Sequence, residues 1–377
     1  MSRLIVVAPL SALSKRTRLY KLVSFLHSKN TDDITHVCWE RKSGESIEEY
    51  LSFDVKKIIL IKESKFRIRF NVKLLYMIWF VRVFLQGFKF KKHDLVWALG
   101  FESAFPLLLS SKLIGYSLVF DDADRFSMLM NFPRYIKKIL CFFEKITSRN
   151  VDLHVIPTLE RYDFSSSKFF VIKNTPSEKE LILAASIFEK SGYKKEKLSI
   201  NINGWLGDGR GMSVALKLAT ALKNHPVKFI LSGRLDCPDA ELLSKLDNVD
   251  YFGSISNAEA LATYFMTDFV FTYYDPSKEI NLFAESNKWG DAVNLNNIII
   301  VNNEVLTARS LINSGATVSH SYCDVDSLIK SIVFFLSNPD ELEKMKAGLN
   351  NLSAYKCFFE SRIESLIFIL NKKRNIV

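Results

Sequence analysis

Short apolar runs alternate with longer segments of helical period along almost the whole chain, and this rhythm limits the fold more than any other feature. In the first half the runs are residues 4–8, 35–39, 57–61, 95–99, 117–120, 153–157 and 169–172. In the second half they are 198–202, 227–231, 249–252, 269–272, 298–301 and 317–320. Each is long enough for a buried strand and too short for a helix. Helical patterns such as 15–27, 103–113, 212–222 and 325–336 lie between them. This alternation joins parallel neighbours through helical crossovers, so the expected class is α/β, with parallel sheets covered by helices on both faces.

A chain of 377 residues is long for one such sheet and suits two. The boundary is placed at Asn174-Thr175-Pro176-Ser177, a cluster of turn formers in which Pro176 ends the preceding strand. Residues 1–175 would form the first domain and 176–355 the second, with 356–377 a helix packing back on the first. Ligands of open parallel sheets bind beyond the carboxyl ends of the strands. Two such Rossmann-like sheets facing each other would form a central cleft lined by those loops.

With 48% hydrophobic and 24% charged residues the chain is not a disordered one. Its net charge of +10 favours anionic partners. No nucleic-acid-binding module is present, and nucleic acid is not an expected partner. The five cysteines form no CxxC or Cys/His cluster, which points to a reducing cytoplasm and to no zinc. The apolar start, residues 4–8, is interrupted by Pro9 and followed by Lys15, Arg16 and Arg18 without a small-residue cleavage site, so it reads as a strand rather than a signal peptide. No stretch approaches the ~20 apolar residues of a membrane-spanning helix.

Four loops carry candidate chemistry. "INGWLGDGRGMS", 202–213, follows a strand and opens a helix; Gly204, Gly207, Gly209 and Gly211 leave backbone N–H groups unobstructed, and Arg210 adds a full positive charge. A phosphate or a plain flexible turn fits it. Gly233 and Arg234 end the next strand, as a second phosphate contact or a surface turn. Gly253 and Ser254 follow a third strand, where backbone groups would meet a planar base, with Ser256 or Asn257 as helix cap. The fourth, Ser286-Asn287-Lys288-Trp289-Gly290-Asp291, starts a short helix. Its N–H groups and Lys288 would meet a diphosphate and Asp291 a ribose diol, unless it is a solvated helix start capped by Ser286.

In this order the loops resemble the C-terminal half of GT-B glycosyltransferases, and most closely the family-4-like group that builds bacterial surface polysaccharides. That group carries Pro-Asn-Lys-(apolar)-x-Glu before an apolar strand; here the stretch is Ser286 to Asp291. The resemblance covers residues 198–318 and more loosely 118–124 and 154–158. It implies a nucleotide-sugar-dependent, hexosyltransferase-type enzyme in capsule, lipopolysaccharide or exopolysaccharide synthesis. The donor would be a UDP-sugar first and a GDP-sugar next, with no cofactor or metal, and the acceptor a glycan, lipid-linked at the membrane. By the same resemblance Asp291 binds the ribose, Arg210 and Lys288 face the diphosphate with Asn287 beside them, and Gly253 and Ser254 line the base. A nucleotide-sugar epimerase of the same fold and a non-catalytic partner protein are the alternatives.

The resemblance breaks at the catalytic acid. The family's second glutamate falls on Phe283; Glu279 and Glu285 flank it at other spacings, so the stereochemical outcome stays open. The family's basic pair after the first strand of this half is also reduced, with Trp205 and Asp208 in its neighbourhood. The remaining candidates are Glu285, the Asp121, Asp122 and Asp124 cluster, and Glu102. The Asp cluster would supply an acceptor-side base or simply a helix cap with solvated acids, and Glu102 ends another strand. His93, His154 and His320 stand alone and read as surface or core residues.

Between Lys65 and Lys92, eight basic residues interleave with Phe66, Phe70, Tyr76, Trp79, Phe80, Phe84, Phe88 and Phe90. A core helix with solvated flanks explains the centre. The excess of aromatics and cations suits an anionic membrane surface, which would make the protein peripheral on the cytoplasmic face of the inner membrane.

Overall fold

The computed structural model describes residues 3–40, 51–62, 69–129 and 132–374. Four residues of the basic aromatic segment, 65–68, and with them Lys65, Phe66 and Arg67, lie outside that set. The chain divides into two compact units, Met1–Ile172 with Glu360–Val377, and Lys173–Phe359.

The first unit is built on seven parallel strands: β1 (Leu4–Val7), β2 (Ile34–Glu40), β3 (Lys56–Lys62), β4 (Leu95–Leu99), β5 (Ser117–Asp121), β6 (Leu153–Ile156) and β7 (Phe169–Val171). Their order is β3-β2-β1-β4-β5-β6-β7. The helices are α1 (Thr17–Ser28), α2 (Arg69–Gly87), α3 (Phe101–Ile114), α4 (Phe126–Leu129) and α5 (Arg134–Asn150). Strand order reverses between β1 and β4, so right-handed crossovers place α1 on one face and α2, α3 and α5 side by side on the other. β1, β4 and β5 are buried along their whole length, which is why they read as unbroken apolar runs. Ile5, Val7, Val96 and Phe120 pack there against Trp79 of α2 and Ala104 and Leu107 of α3. Gly115, in the left-handed region at φ 85°, ends α3. The C-terminal helix returns to this unit: Arg362 donates to the Val171 carbonyl at 2.7 Å and Lys373 to that of Asp152 at 2.9 Å.

The second unit has six parallel strands: β8 (Leu198–Gly207), β9 (Val227–Asp236), β10 (Val249–Tyr251), β11 (Phe269–Thr272), β12 (Ile298–Asn302) and β13 (Thr317–His320). Their order is β10-β9-β8-β11-β12-β13, with the reversal between β8 and β11. Helix Met212–Ala221 covers one face through Ala215 and Leu218, and helix Asn287–Asn294 the other through Trp289, Ala292 and Val293.

The expected α/β class with parallel sheets is the observed one. β8 and β9, however, outrun the apolar runs that announced them and stay paired through Gly207 and Asp236. Gly204 and Gly207, expected in the turn before a helix, therefore lie within β8. Gly204 pairs with Gly233, and a Cβ on Gly233 would stand 1.8 Å from the Gly204 carbonyl oxygen. With φ of 125° at Gly233, both the close approach and the backbone angle exclude a side chain. Strand packing, without a ligand, accounts for this glycine pair.

Candidate functional site

The carboxyl ends of β9, β8 and β11 are neighbours at the point where strand order reverses. Gly204 and Gly233 pair across β8 and β9 there, and the Gly233 N–H donates at 2.7 Å to the carbonyl of Gly253, just past the end of β10. Helix Asn287–Asn294 begins beside them. Trp289 is fully buried and its indole N–H donates to Thr272 Oγ1 at 3.0 Å, fastening the helix to β11. Gly290 lets the helix lie against the backbone of residues 174–175, where a Cβ would come within 2.1 Å of the Asn174 oxygen. Trp289 and Gly290 are thus scaffold, and Lys288 and Asp291 are left for chemistry.

The Lys288 ammonium lies over Gly204, 3.8 Å from the position of a Cβ there. The Arg210 guanidinium sits 4.9 Å from the centre of the Tyr274 ring and 5.7 Å from that of Trp205. Loss of water lowers the Lys288 pKa; Arg210 pushes the same way, and Tyr274 and Asp291 oppose. Among the described residues neither Lys288 nor Arg210 has a carboxylate in an ion pair. Asp291 also bears on Tyr264, whose hydroxyl is raised well above its ordinary pKa, first by burial and then by that charge. Asn203 Nδ2 donates to the same hydroxyl at 3.3 Å.

The loop after β11 is tied to the turn that carries Arg210. The Asp275 N–H donates to the Gly209 carbonyl at 3.1 Å, Asn281 Nδ2 to the same carbonyl at 3.2 Å, and Lys278 Nζ to that of Asp208 at 3.1 Å. Gly209 takes φ 84° in this turn. The structure therefore gathers Gly204, Arg210, Lys288 and Asp291. It adds Tyr274, Tyr264 and Asn203, which the sequence did not single out because each is an unremarkable polar residue near a strand. Arg234 is exposed and paired with Asp236 at 2.8 Å, an acid that also accepts from the Trp205 indole. Asn287 and Ser254 are exposed, and Gly253, at φ 74°, has open space where a Cβ would be.

Three of the acids expected to act on substrate have other work. Glu285 is buried; Lys173 lies 3.1 Å from its Oε1, the Tyr355 hydroxyl donates to it, and Asn174 donates to its backbone carbonyl at 2.9 Å. It fastens the first residues of its unit. Asp121 is fully buried, 3.0 Å from Arg18 Nε, and accepts from the Trp97 indole at 2.9 Å. Asp122, equally buried, accepts from the Tyr162 hydroxyl at 2.6 Å, with His154 Nε2 3.8 Å away. These two lie in the interior and are not the solvated acids of the helix-cap reading. Asp124 is half-exposed and bridged to Arg16 at 2.8 Å.

Glu102 differs from all of them. It lies in the first turn of α3, at the carboxyl end of β4 and beside the reversal of strand order. The residue is nine-tenths buried, its carboxyl folds back over Gly100, and Oε2 has no hydrogen-bond partner. Burial pushes its pKa up to about 8; its own backbone N–H opposes, Asp122 adds, Arg16 opposes and Asp124 adds. Among the described residues no group of three or more His, Cys, Asp or Glu is placed to hold a metal ion.

No family model matches the sequence, and no curated protein matches it in sequence. Similarity of structure is extensive. The sucrose-phosphate synthase of Thermosynechococcus elongatus superposes with a TM-score of 0.69 at 12% identity, over 100% of both chains. The chain has the GT-B fold. Anabaena HepE in complex with UDP matches 99% of this chain and 100% of its own, with a TM-score of 0.65 at 10% identity. A UDP-N-acetylglucosamine 2-epimerase matches 92% and 91%, with 0.56 at 13%. At these identities the likeness is one of fold.

Proposed function

We propose that the chain is a glycosyltransferase that moves a sugar from a nucleoside-diphosphate sugar to a glycan acceptor. One observation carries the reading: Arg210 and Lys288 stand together at the strand-order reversal of the second sheet, and among the described residues neither is in an ion pair with a carboxylate, the Asp291 charge acting on Lys288 only from a distance. Two adjacent cations repel, and a diphosphate between them removes the repulsion and restores the full charge of Lys288. Asp291 takes the ribose hydroxyls, and the backbone beside Gly253 takes the base. As the sugar–phosphate bond breaks, the same two cations stabilise the negative charge on the departing diphosphate. The second unit is then the donor half and the first the acceptor half.

UDP is the first nucleotide expected and GDP the next, in keeping with the UDP held by HepE. A lipid-linked acceptor, a place in bacterial surface-polysaccharide synthesis of the family-4-like type, and attachment to the cytoplasmic membrane face complete the proposal. An epimerase acting on the nucleotide sugar alone is the second reading, favoured by the likeness to the 2-epimerase. Product analysis separates them, since an epimerase changes the sugar without releasing nucleotide.

Titration calorimetry against UDP, GDP, dTDP, ADP and CMP tests the site. One nucleoside diphosphate is expected to bind selectively, and Lys288→Ala to weaken it about 10- to 100-fold, the value of one charge-assisted phosphate contact. Absence of binding to all five would overturn the assignment in favour of a non-catalytic partner protein.

A further inference from the structure

On α2, Leu74, Met77, Val81 and Leu85 recur at helical spacing, and Phe88 continues the row just past its end; all five face outward, Met77 at 66% exposure. A core helix shows its apolar stripe to the sheet, and α2 does this separately through Leu75, Trp79 and Val83. The second stripe is surplus to folding. It has company: α3, packed against α2, exposes Leu109 and Leu113, the latter at 67%. Next to α3, α5 exposes Tyr135, Ile139 and Phe142, again one face of a helix. Three adjacent helices of one layer thus each present a row of exposed apolar side chains, the kind of surface that marks an interaction site.

The outward charges of these three helices have one sign. α2, α3 and α5 contain two acids, Glu102 and Glu144, and both are buried, Glu144 in an ion pair with Arg125. The cations face outward: Lys73 and Arg82 on α2, Lys112 on α3, and Arg134, Lys138 and Arg149 on α5. Lys137 and Lys145 join Arg134 and Lys138 in lining an open concavity of ≈540 Å³ beside Phe142 and Phe164; its one acid among the described residues, Asp163, is paired with Arg125 at 3.0 Å. A protein partner would be met by a face depleted in lysine at its centre. Aromatic and aliphatic side chains interleaved with an excess of cations fit the boundary between anionic headgroups and acyl chains. Among the described residues no helix is long and apolar enough to cross a membrane, so the surface lies on the bilayer.

We propose that the outer face of α2, α3 and α5 docks the protein on an anionic phospholipid bilayer, with the α5 concavity seating a headgroup phosphate. The expected basic aromatic segment supplies only one of the three helices. The inference rests on the proposed function for its purpose, bringing a lipid-linked acceptor within reach, and on this surface alone for its geometry.

The test is co-sedimentation of the full chain with phosphatidylcholine vesicles, with and without about one-third phosphatidylglycerol. Binding to the anionic vesicles and not to the neutral ones is expected, falling as salt rises. Lys137→Glu/Lys138→Glu/Lys145→Glu should weaken it by at least about fivefold for each charge removed. Met77→Ser/Leu85→Ser should weaken it without changing its salt dependence. UDP titration of each variant reports that the second unit is intact, and circular dichroism that the whole chain is folded. Lys288→Ala, which tests the donor site, should keep full vesicle binding, so failure of either idea is distinguishable from failure of the other. Equal affinity for neutral and anionic vesicles, no affinity for either, or variants that bind like the parent would overturn the proposal. So would sedimentation showing that the face joins two copies of the chain.

Discussion

Replacing Glu102 by Gln should make the protein more stable, by an amount that depends on pH. In the folded chain burial holds this carboxyl protonated up to about pH 8, whereas in the unfolded chain it ionises near 4.5. Between those values the unfolded state gives up a proton that the folded state keeps. The group's contribution is therefore intact below pH 4.5 and is lost as pH rises toward 8, at about 1.4 kcal/mol per pH unit, up to about 5 kcal/mol in all. Glutamine has nearly the same shape and does not titrate. The variant should match the parent near pH 4.5 and exceed it by several kcal/mol at pH 8, which for a domain of this size raises Tm by on the order of 10 °C. Scanning calorimetry of both proteins at several pH values measures the difference, and titrating groups that do not interact with Glu102 cancel between them. A gap that does not change with pH would refute the reasoning, because it would mean that Glu102 is charged in the folded chain throughout.

The buried Arg125–Glu144 pair, with Ser127 and Asp163 completing its hydrogen bonds, makes Arg125→Met cost about 3–5 kcal/mol in denaturant unfolding, since it strands a buried carboxylate. Gly290→Ala forces a methyl against the Asn174 carbonyl and should destabilise the second unit by about 1–3 kcal/mol while leaving residual nucleotide affinity. The lowered pKa of Lys288 predicts that binding of UDP takes up protons at alkaline pH, seen as a dependence of the calorimetric heat on the buffer's ionisation enthalpy; Lys288→Ala should abolish it.

The strands at 95–99, 269–272 and 317–320 begin and end where the apolar runs do, because turn or polar residues flank them sharply. The ends of β8 and β9 escaped the same reading. Glycines signal turns by default, and only the cross-strand register shows that Gly204 and Gly233 serve pairing. The nearness of Arg210, Lys288 and Asp291 followed from the order of the loops, since successive strands of such a sheet bring their ends together. The fate of the Asp cluster did not. Arg18 is 103 residues from Asp121, and nothing local announces that an arginine in α1 turns inward to meet it. The face of α5 was equally hidden, because an amphipathic helix reads alike whether its apolar side meets a sheet or a membrane.

The contact between Gly204 and Gly233 bears on how the history of this chain would be read. Among related sequences, position 233 is expected to be glycine in all that keep the long β8–β9 pairing, whatever they bind. Its invariance would say nothing about a nucleotide. Gly253 is the informative position, because the space around it is open. Asparagine tolerates its backbone angle, so lineages free of a ligand there would drift to Asn, and those still constrained by one would not.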